Sequence, residues 1–304
     1  MPTPHSVYGV DFVTDLALDL PVASRNDREP ELEMVRRDRE LPSGVDIPSC
    51  YEWDGGLAFR FEDDIAFTLE ERAEDSLITV TAPNDPSGSM RTRMYFLGPM
   101  LAYYLELTGV VALHASCAGV DGAALAFLSS SGGGKSNLAA AAMVAGTALI
   151  ADDIVAVDVE PGMCVRLGPP QMRLWPSDIP AAWGNPESFP LVHPAHDKRR
   201  IPLVDIGRFA NAPAPLRCLY LPERSAVATQ CFFEPIKPSQ ALIELVRHSF
   251  SPQFTEIVGL QPRRLQRLAK IVETVPIRRM VYPDGKEHLS TAWHAAVEDF
   301  RALN

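Results

Sequence analysis

One stretch, Ala123 to Asp158, constrains this chain more than any other. It reads AALAFLSSSGGGKSNLAAAAMVAGTALIADDIVAVD. An apolar run, Ala123–Leu128, predicts a buried strand. It enters a loop containing three consecutive glycines, followed by Lys135 and Ser136 and an alanine-rich run of helix formers. A second apolar run, 148–151, ends in adjacent carboxylates, Asp152 and Asp153. Strand, glycine loop, Lys-Ser, helix, strand and acid pair is the layout of a phosphate-binding loop with a metal site. Glycines let successive backbone N–H groups turn inward on a phosphate, and the helix start adds its positive dipole end. The expected phosphate contacts are Ser131, Gly132, Gly133, Gly134, Lys135, Ser136 and Asn137. Lys135 reaches toward the β- and γ-phosphates of a nucleotide, and the Ser136 hydroxyl suits Mg²⁺, a hard ion that prefers oxygen ligands. The usual G-x-x-x-x-G-K-[ST] pattern is broken at its first position, which is Ser129. Side chains of adjacent strand residues point to opposite faces, so Asp152 and Asp153 are expected to divide the work between metal and acceptor hydroxyl.

The composition limits the alternatives. At 304 residues, 46% hydrophobic and 22% charged, the chain can bury a sizeable core in one large or two ordinary domains. A net charge of −11 argues against nucleic acid as a partner, since phosphate backbones demand a basic face. The five cysteines are scattered, with no CxxC pair, and suggest reduced thiols in a cytoplasmic protein. The first residues lack the basic region of a signal peptide. No apolar run reaches the ~18–20 residues that span a bilayer, so no membrane partner is expected; the nearest, 110–128, is interrupted by His114 and Asp121.

Before the loop, alternating runs at 6–13, 57–61, 65–69 and 76–82 predict strands, with an acidic turn at 62–64. Residues 24–42 are charge-rich and read as an exposed strand or loop, and 84–88 as a turn. Residues 1–88 are therefore expected to form a small, mainly antiparallel β domain, and 89–304 an α/β catalytic domain. Within the latter, 90–108 has helical spacing with an awkward Pro99 and a plausible terminator in Gly109. Asp121-Gly122 marks a hairpin turn. Residues 169–194 read as ordered loop with short helices, 216–221 and 277–282 as strands, and 239–250, 262–275 and 290–303 as helices. The basic run Lys198-Arg199-Arg200 could clamp a transferred phosphate or sit as a solvated loop patch.

His114, the Lys135-Ser136 loop and the Asp152-Asp153 pair resemble, in order and spacing, the catalytic domain of HPr kinase/phosphorylase, whose fold is related to phosphoenolpyruvate carboxykinase. The strong resemblance covers 113–158. The LHAS form at 113–116, the Gly98-Pro99 pair and the YGVDF opening look more like the divergent HPr-kinase-like proteins of bacterial peptide gene clusters, some of which phosphorylate a serine on a lasso-peptide precursor. The resemblance implies an ATP- and Mg²⁺-dependent serine kinase acting on a peptide or small protein. It implies Asp152 as general base, Asp153 and Ser136 as metal partners, His114 near the γ-phosphate and Lys135 on the phosphates. Asn137 stands where the HPr enzymes commonly carry Glu, which weighs against HPr as acceptor and against phosphorylase activity. Those enzymes are oligomers, so a homo-oligomer is an open expectation. Two other readings remain at this point: a kinase of a small-molecule alcohol, and a nucleotide-binding regulatory module without transfer activity.

Overall fold

Alternating apolar residues in the first eighty positions build one sheet. In the computed structural model, residues 2–23, 29–37, 48–53, 56–62, 64–204, 206, 208–250 and 259–303 are described. Seven strands precede the first helix: β1 (Thr3–Val7), β2 (Val10–Thr14), β3 (Leu32–Arg36), β4 (Ser49–Trp53), β5 (Gly56–Glu62), β6 (Ile65–Glu71) and β7 (Ser76–Thr81). They pair in the order β1-β2-β3-β7-β6-β5-β4. The pairs β2–β3 and β3–β7 are parallel and the others antiparallel. Of the charge-rich stretch 24–42, only 29–37 is described, and it holds β3, an interior strand between β2 and β7. Asp63 of the expected acidic turn lies outside the described residues.

The turn expected at 84–88 is a helix start. Asp85 Oδ1 accepts the Gly88 N–H at 2.7 Å, and Pro86 occupies the first helical position, where its missing N–H costs nothing. Helix α1 (Pro86–Tyr95) runs into a π-helical segment, Phe96–Met100, and on into α2 (Leu101–Leu107). The break falls at Gly98 (φ −110°, ψ −109°) and Pro99, which has no N–H to donate to the preceding turn. Gly109, at φ +92°, takes the left-handed conformation just past the end of α2. A boundary at residue 88 falls inside α1. One apolar core runs through both halves, with Phe12 edge-on to Phe96 (5.3 Å) and Phe59 against Tyr103 (4.6 Å).

The second half is a mixed sheet. Its strands are β8 (Val111–Leu113), β9 (Ala115–Val120), β10 (Ala123–Leu128), β11 (Leu149–Ala151), β12 (Val155–Asp158), β13 (Cys164–Val165), β17 (Ala214–Ser225), β18 (Phe232–Pro235) and β19 (Ile277–Pro283). Strand β17 runs parallel to both β10 and β19 and forms the centre. The β9–β10 hairpin turns at Asp121 and Gly122, both with positive φ, as the Asp-Gly pair predicts. Helices α3 (Lys135–Val144) and α6 (Leu289–Ala302) share one face, where Leu138, Phe127, Tyr220 and Trp293 pack together.

The region read as loop at 169–194 contains more order than expected. Its short helices are present, at Pro176–Asp178, Ala181–Trp183 and Pro186–Ser188. Two strands, β14 (Gln171–Leu174) and β15 (Leu191–His193), flank them and pair with β16 (His196–Pro202). The basic run 198–200 thus lies on a strand. Prolines at 169, 170, 176 and 190 keep β14 and β15 too short for alternation to show.

Two more helices, α4 (Pro238–Arg247) and α5 (Gln261–Thr274), buttress β8. There Glu106 Oε1 accepts from the Ala112 N–H (2.9 Å) and from Arg264 Nε (2.8 Å), both side chains being about 1% exposed. This buried pair fixes the strand that delivers His114. All five cysteines are unpaired. No helix among the described residues is long and apolar enough to cross a membrane.

Candidate active site

The glycine loop leaves β10 and starts α3. Its backbone is left-handed at Gly132 (φ +80°) and Gly134 (φ +93°), the two positions where glycine is conformationally required. Ser129, at the broken motif position, is buried, and its side chain packs on Gly133: a Cβ added there would stand 2.6 Å from the Ser129 Cβ and Oγ. The middle glycine is therefore the steric partner of Ser129. Arg224 donates to the Gly132 carbonyl at 2.9 Å and braces the loop from outside.

Lys135 is only 7% exposed, yet its ammonium makes no hydrogen bond or ion pair with any described residue. Burial pulls its pKa below the ordinary lysine value, while Asp152 and Asp153 pull the other way without cancelling the shift. A buried cation facing a cleft without a bonded counter-ion is a site for an anionic ligand.

The carboxylates diverge, as adjacent residues at a strand end do. Asp152 is buried and fully engaged. Its Oδ1 accepts from Ser136 Oγ (2.9 Å) and Ser116 Oγ (2.5 Å), and its Oδ2 from the Arg173 N–H (3.0 Å). Asp153 follows in the left-handed conformation (φ +74°), which swings its side chain to the other side. There Oδ2 accepts from Arg173 (2.8 Å), and Oδ1 lies 3.4 Å from His114 Nε2. Burial pushes the Asp153 carboxyl up, but Arg173, His114 and Lys198 outweigh it and hold it well below the usual carboxylate range. His114 is fixed by its N–H on the His248 carbonyl (2.8 Å) and by edge-on packing with Phe250 (5.6 Å between ring centres). Beneath the acids lies the β1–β2 turn, where the buried Tyr8 hydroxyl donates to the Ile154 carbonyl (3.3 Å).

Gly132, Gly134, Lys135, Ser136, His114, Asp152, Asp153 and Arg173 line one cavity of about 130 Å³, together with Ser131, Asn137, Trp175, Asp178 and Lys198. Of the expected basic clamp, only Lys198 reaches it. Arg199 pairs with Glu187 (2.7 Å) on the opposite face of β16, and the buried Arg200 pairs with Asp19 (2.8 Å). Gly133 is turned onto Ser129 and does not line the cavity. Sequence reasoning missed Ser116 and Arg173. Ser116 carried a weak signal, two residues past His114. Arg173 carried none, because only the fold of 169–202 brings it to the acids.

No protein-family profile matches the sequence, and no curated protein matches it. Among solved structures, the HPr(Ser) kinase/phosphatase from Coxiella burnetii is similar at 10% identity. The alignment covers 63% of this chain and 96% of that one, with a TM-score of 0.35. A score this low places no constraint on the activity of this chain.

Proposed function

We propose that this chain is an ATP- and Mg²⁺-dependent kinase that transfers the γ-phosphoryl group to a serine hydroxyl of a peptide or small protein, of the kind exemplified by ribosomally made lasso-type precursors. The observation that carries this reading is the juxtaposition, in one cavity, of a buried lysine without a bonded counter-ion among the described residues and two acids engaged in different ways. A nucleotide-sensing module needs the first feature but not the second pair.

The residues fit both ligands. The nucleotide phosphates would lie on the N–H groups of 132–137 at the start of α3, with Lys135 as counter-ion. Mg²⁺ would be held by Ser136 and Asp152, two hard oxygens already 2.9 Å apart. When bound, the ion neutralises charge on the β- and γ-phosphate oxygens. Three donors already close around Asp152, one of them the Ser136 hydroxyl that would share the metal, whereas Asp153 Oδ1 meets only His114 at 3.4 Å; the two acids are therefore assigned the reverse of what the family resemblance implies. Asp152 serves the metal, and Asp153 receives the acceptor hydroxyl. The depressed pKa of Asp153 keeps it ionised, so it can accept a hydrogen bond from the serine O–H, orient it, and take its proton late, once the Ser O–P bond has formed and the bond to the ADP leaving group has broken. A strong base is not needed where the transition state is loose and the nucleophile bonds late. His114 holds Asp153 in place, and Arg173 faces the region where charge builds on the transferred group.

The test is transfer from ATP·Mg²⁺ to seryl peptides, read by mass spectrometry. Asp153→Asn is expected to keep nucleotide binding and lose transfer by at least about 100-fold. Transfer at wild-type rate in that variant would refute the assignment.

A further inference from the structure

Beside the transfer cavity lies a second cationic site that the chemistry above does not use. Strands β14 and β16 are antiparallel, with Arg173 directly opposite Arg200. Directly opposed residues share a face, and so do residues two apart on one strand. Lys198, Arg173 and Arg200 therefore share one face. Lys198 and Arg173 line the cavity, and Arg200 continues the face away from it. Arg93 from α1 converges on the same place: Arg93 and Arg200 both donate to a single oxygen, Asp19 Oδ2. Around this face, four cations (Arg93, Arg173, Lys198, Arg200) meet two bonded carboxylates, Asp19 and Asp153.

The pairing with Asp19 is poorly matched. A guanidinium presents a fork built for both oxygens of a carboxylate. Here one oxygen is shared by two guanidiniums, and Arg200 Nε is buried with no partner among the described residues. The arginine side chains are 12% and 9% exposed, whereas that of Asp19 is 49% exposed. Asp19 lies in 15–23, a segment without regular structure, and its backbone is left-handed (φ +50°). The cations are therefore built into the fold, and the anion is an exposed side chain on an irregular segment that Leu18 anchors in the core. Burial lowers the pKa of both guanidiniums, and Arg173 adds like-charge repulsion that Asp19 only partly offsets.

We propose that Arg93 and Arg200 form a carboxylate-binding subsite for the acceptor, occupied in this structure by Asp19 as an internal stand-in. The inference rests on the kinase reading and narrows it: the acceptor is a peptide carrying a carboxylate close to its serine. That carboxylate comes either from an acidic side chain or from a free chain end. The acceptor displaces Asp19, and both of its oxygens engage the arginine forks while the hydroxyl reaches Asp153.

Three seryl hexapeptides separate the cases: one neutral and amidated, one amidated with Glu two residues after the serine, and one neutral with a free C-terminus. Their affinities for the full chain are measured by calorimetry, with and without a non-hydrolysable ATP analogue and Mg²⁺. Wild type is compared with Asp19→Ala, Arg93→Gln and Arg200→Gln. Asp19→Ala removes the internal competitor and is expected to tighten binding of a carboxylate-bearing peptide about tenfold, leaving the neutral peptide and the analogue unchanged. Which of the two acidic peptides gains identifies the source. Arg93→Gln abolishes the gain without altering analogue binding. Arg200→Gln does the same, so if circular dichroism shows one variant misfolded, the other decides. Equal affinity for neutral and acidic peptides in Asp19→Ala overturns the subsite. Failure of wild type to bind the analogue overturns the kinase reading instead, and the peptide data without analogue still decide the subsite.

Discussion

Lys135→Met separates function from stability at a single residue. Methionine keeps the apolar stem and removes the ammonium. In the free protein the Lys135 side chain is largely buried, its ammonium makes no bond with any described residue and burial depresses its pKa, so it opposes folding. Its removal is expected to leave the thermal midpoint of the free protein unchanged or higher. The sign in pH is set by the same shift. The cost of Lys135 is present below its lowered pKa and vanishes as pH rises past the ordinary lysine value of about 10.4. The stability advantage of the variant therefore shrinks at high pH. Nucleotide binding moves the other way. Hydrogen bonds to charged groups contribute about 1.5–3 kcal/mol, so the Kd for ATP should rise roughly 10- to 150-fold. At a concentration 100 times the wild-type Kd, ligand stabilisation falls from about 2.7 kcal/mol to between about 1.4 and 0.3 kcal/mol. Calorimetry with ATP and thermal melts with and without it read both effects. A Kd changed less than threefold, or a free protein destabilised by about 2 kcal/mol, would refute the reasoning and make Lys135 a structural counter-ion to the acids.

The geometry sets three further outcomes. Gly133→Ala places a methyl 2.6 Å from the Ser129 side chain; overpacking of this kind costs about 1–3 kcal/mol, so ATP affinity should fall, and Ser129→Gly in the same chain should recover part of it. Arg264→Met leaves Glu106 buried and uncompensated, and chemical denaturation should show a loss of about 3–5 kcal/mol, much of it restored by Glu106→Gln. Arg173→Gln removes the strongest force holding the Asp153 pKa down, so the acid limb of the pH–rate profile for transfer should move to higher pH. In the same variant, the stability that ionised Asp153 contributes above its ordinary pKa of about 3.9 is lost earlier on acidification.

The parts of the fold legible in the sequence obey local rules. Strand, glycine loop, helix and acid pair stand where their periodicity puts them, because an apolar run flanked by glycines has few other folds open to it. Gly109 and Asp121-Gly122 behave as their types predict. Asp85-Pro86 reads as a turn by its letters and is a helix start, since Asn-Asp-Pro-Ser-Gly contains both turn residues and a cap followed by Pro. The strands β14 and β15 are hidden by the prolines that bound them. The divergence of Asp152 and Asp153 is legible from strand alternation, but which one is enclosed is not: that depends on Ser116 and the Arg173 amide closing around Asp152, contacts from 36 and 21 residues away. Ser129 makes sense only with its side chain resting on Gly133. The separation of Arg199 from Lys198 and Arg200 comes from strand alternation, which a reading of that run as a loop could not supply.

The most direct test of the account is the increment that Mg²⁺ adds to ATP affinity, measured by calorimetry in wild type, Asp152→Asn and Asp153→Asn. If Ser136 and Asp152 hold the ion, Mg²⁺ should tighten ATP binding by about tenfold or more in wild type and in Asp153→Asn, and should have almost no effect in Asp152→Asn. Wild type that does not bind ATP, or an increment that survives in Asp152→Asn and disappears in Asp153→Asn, would contradict the account.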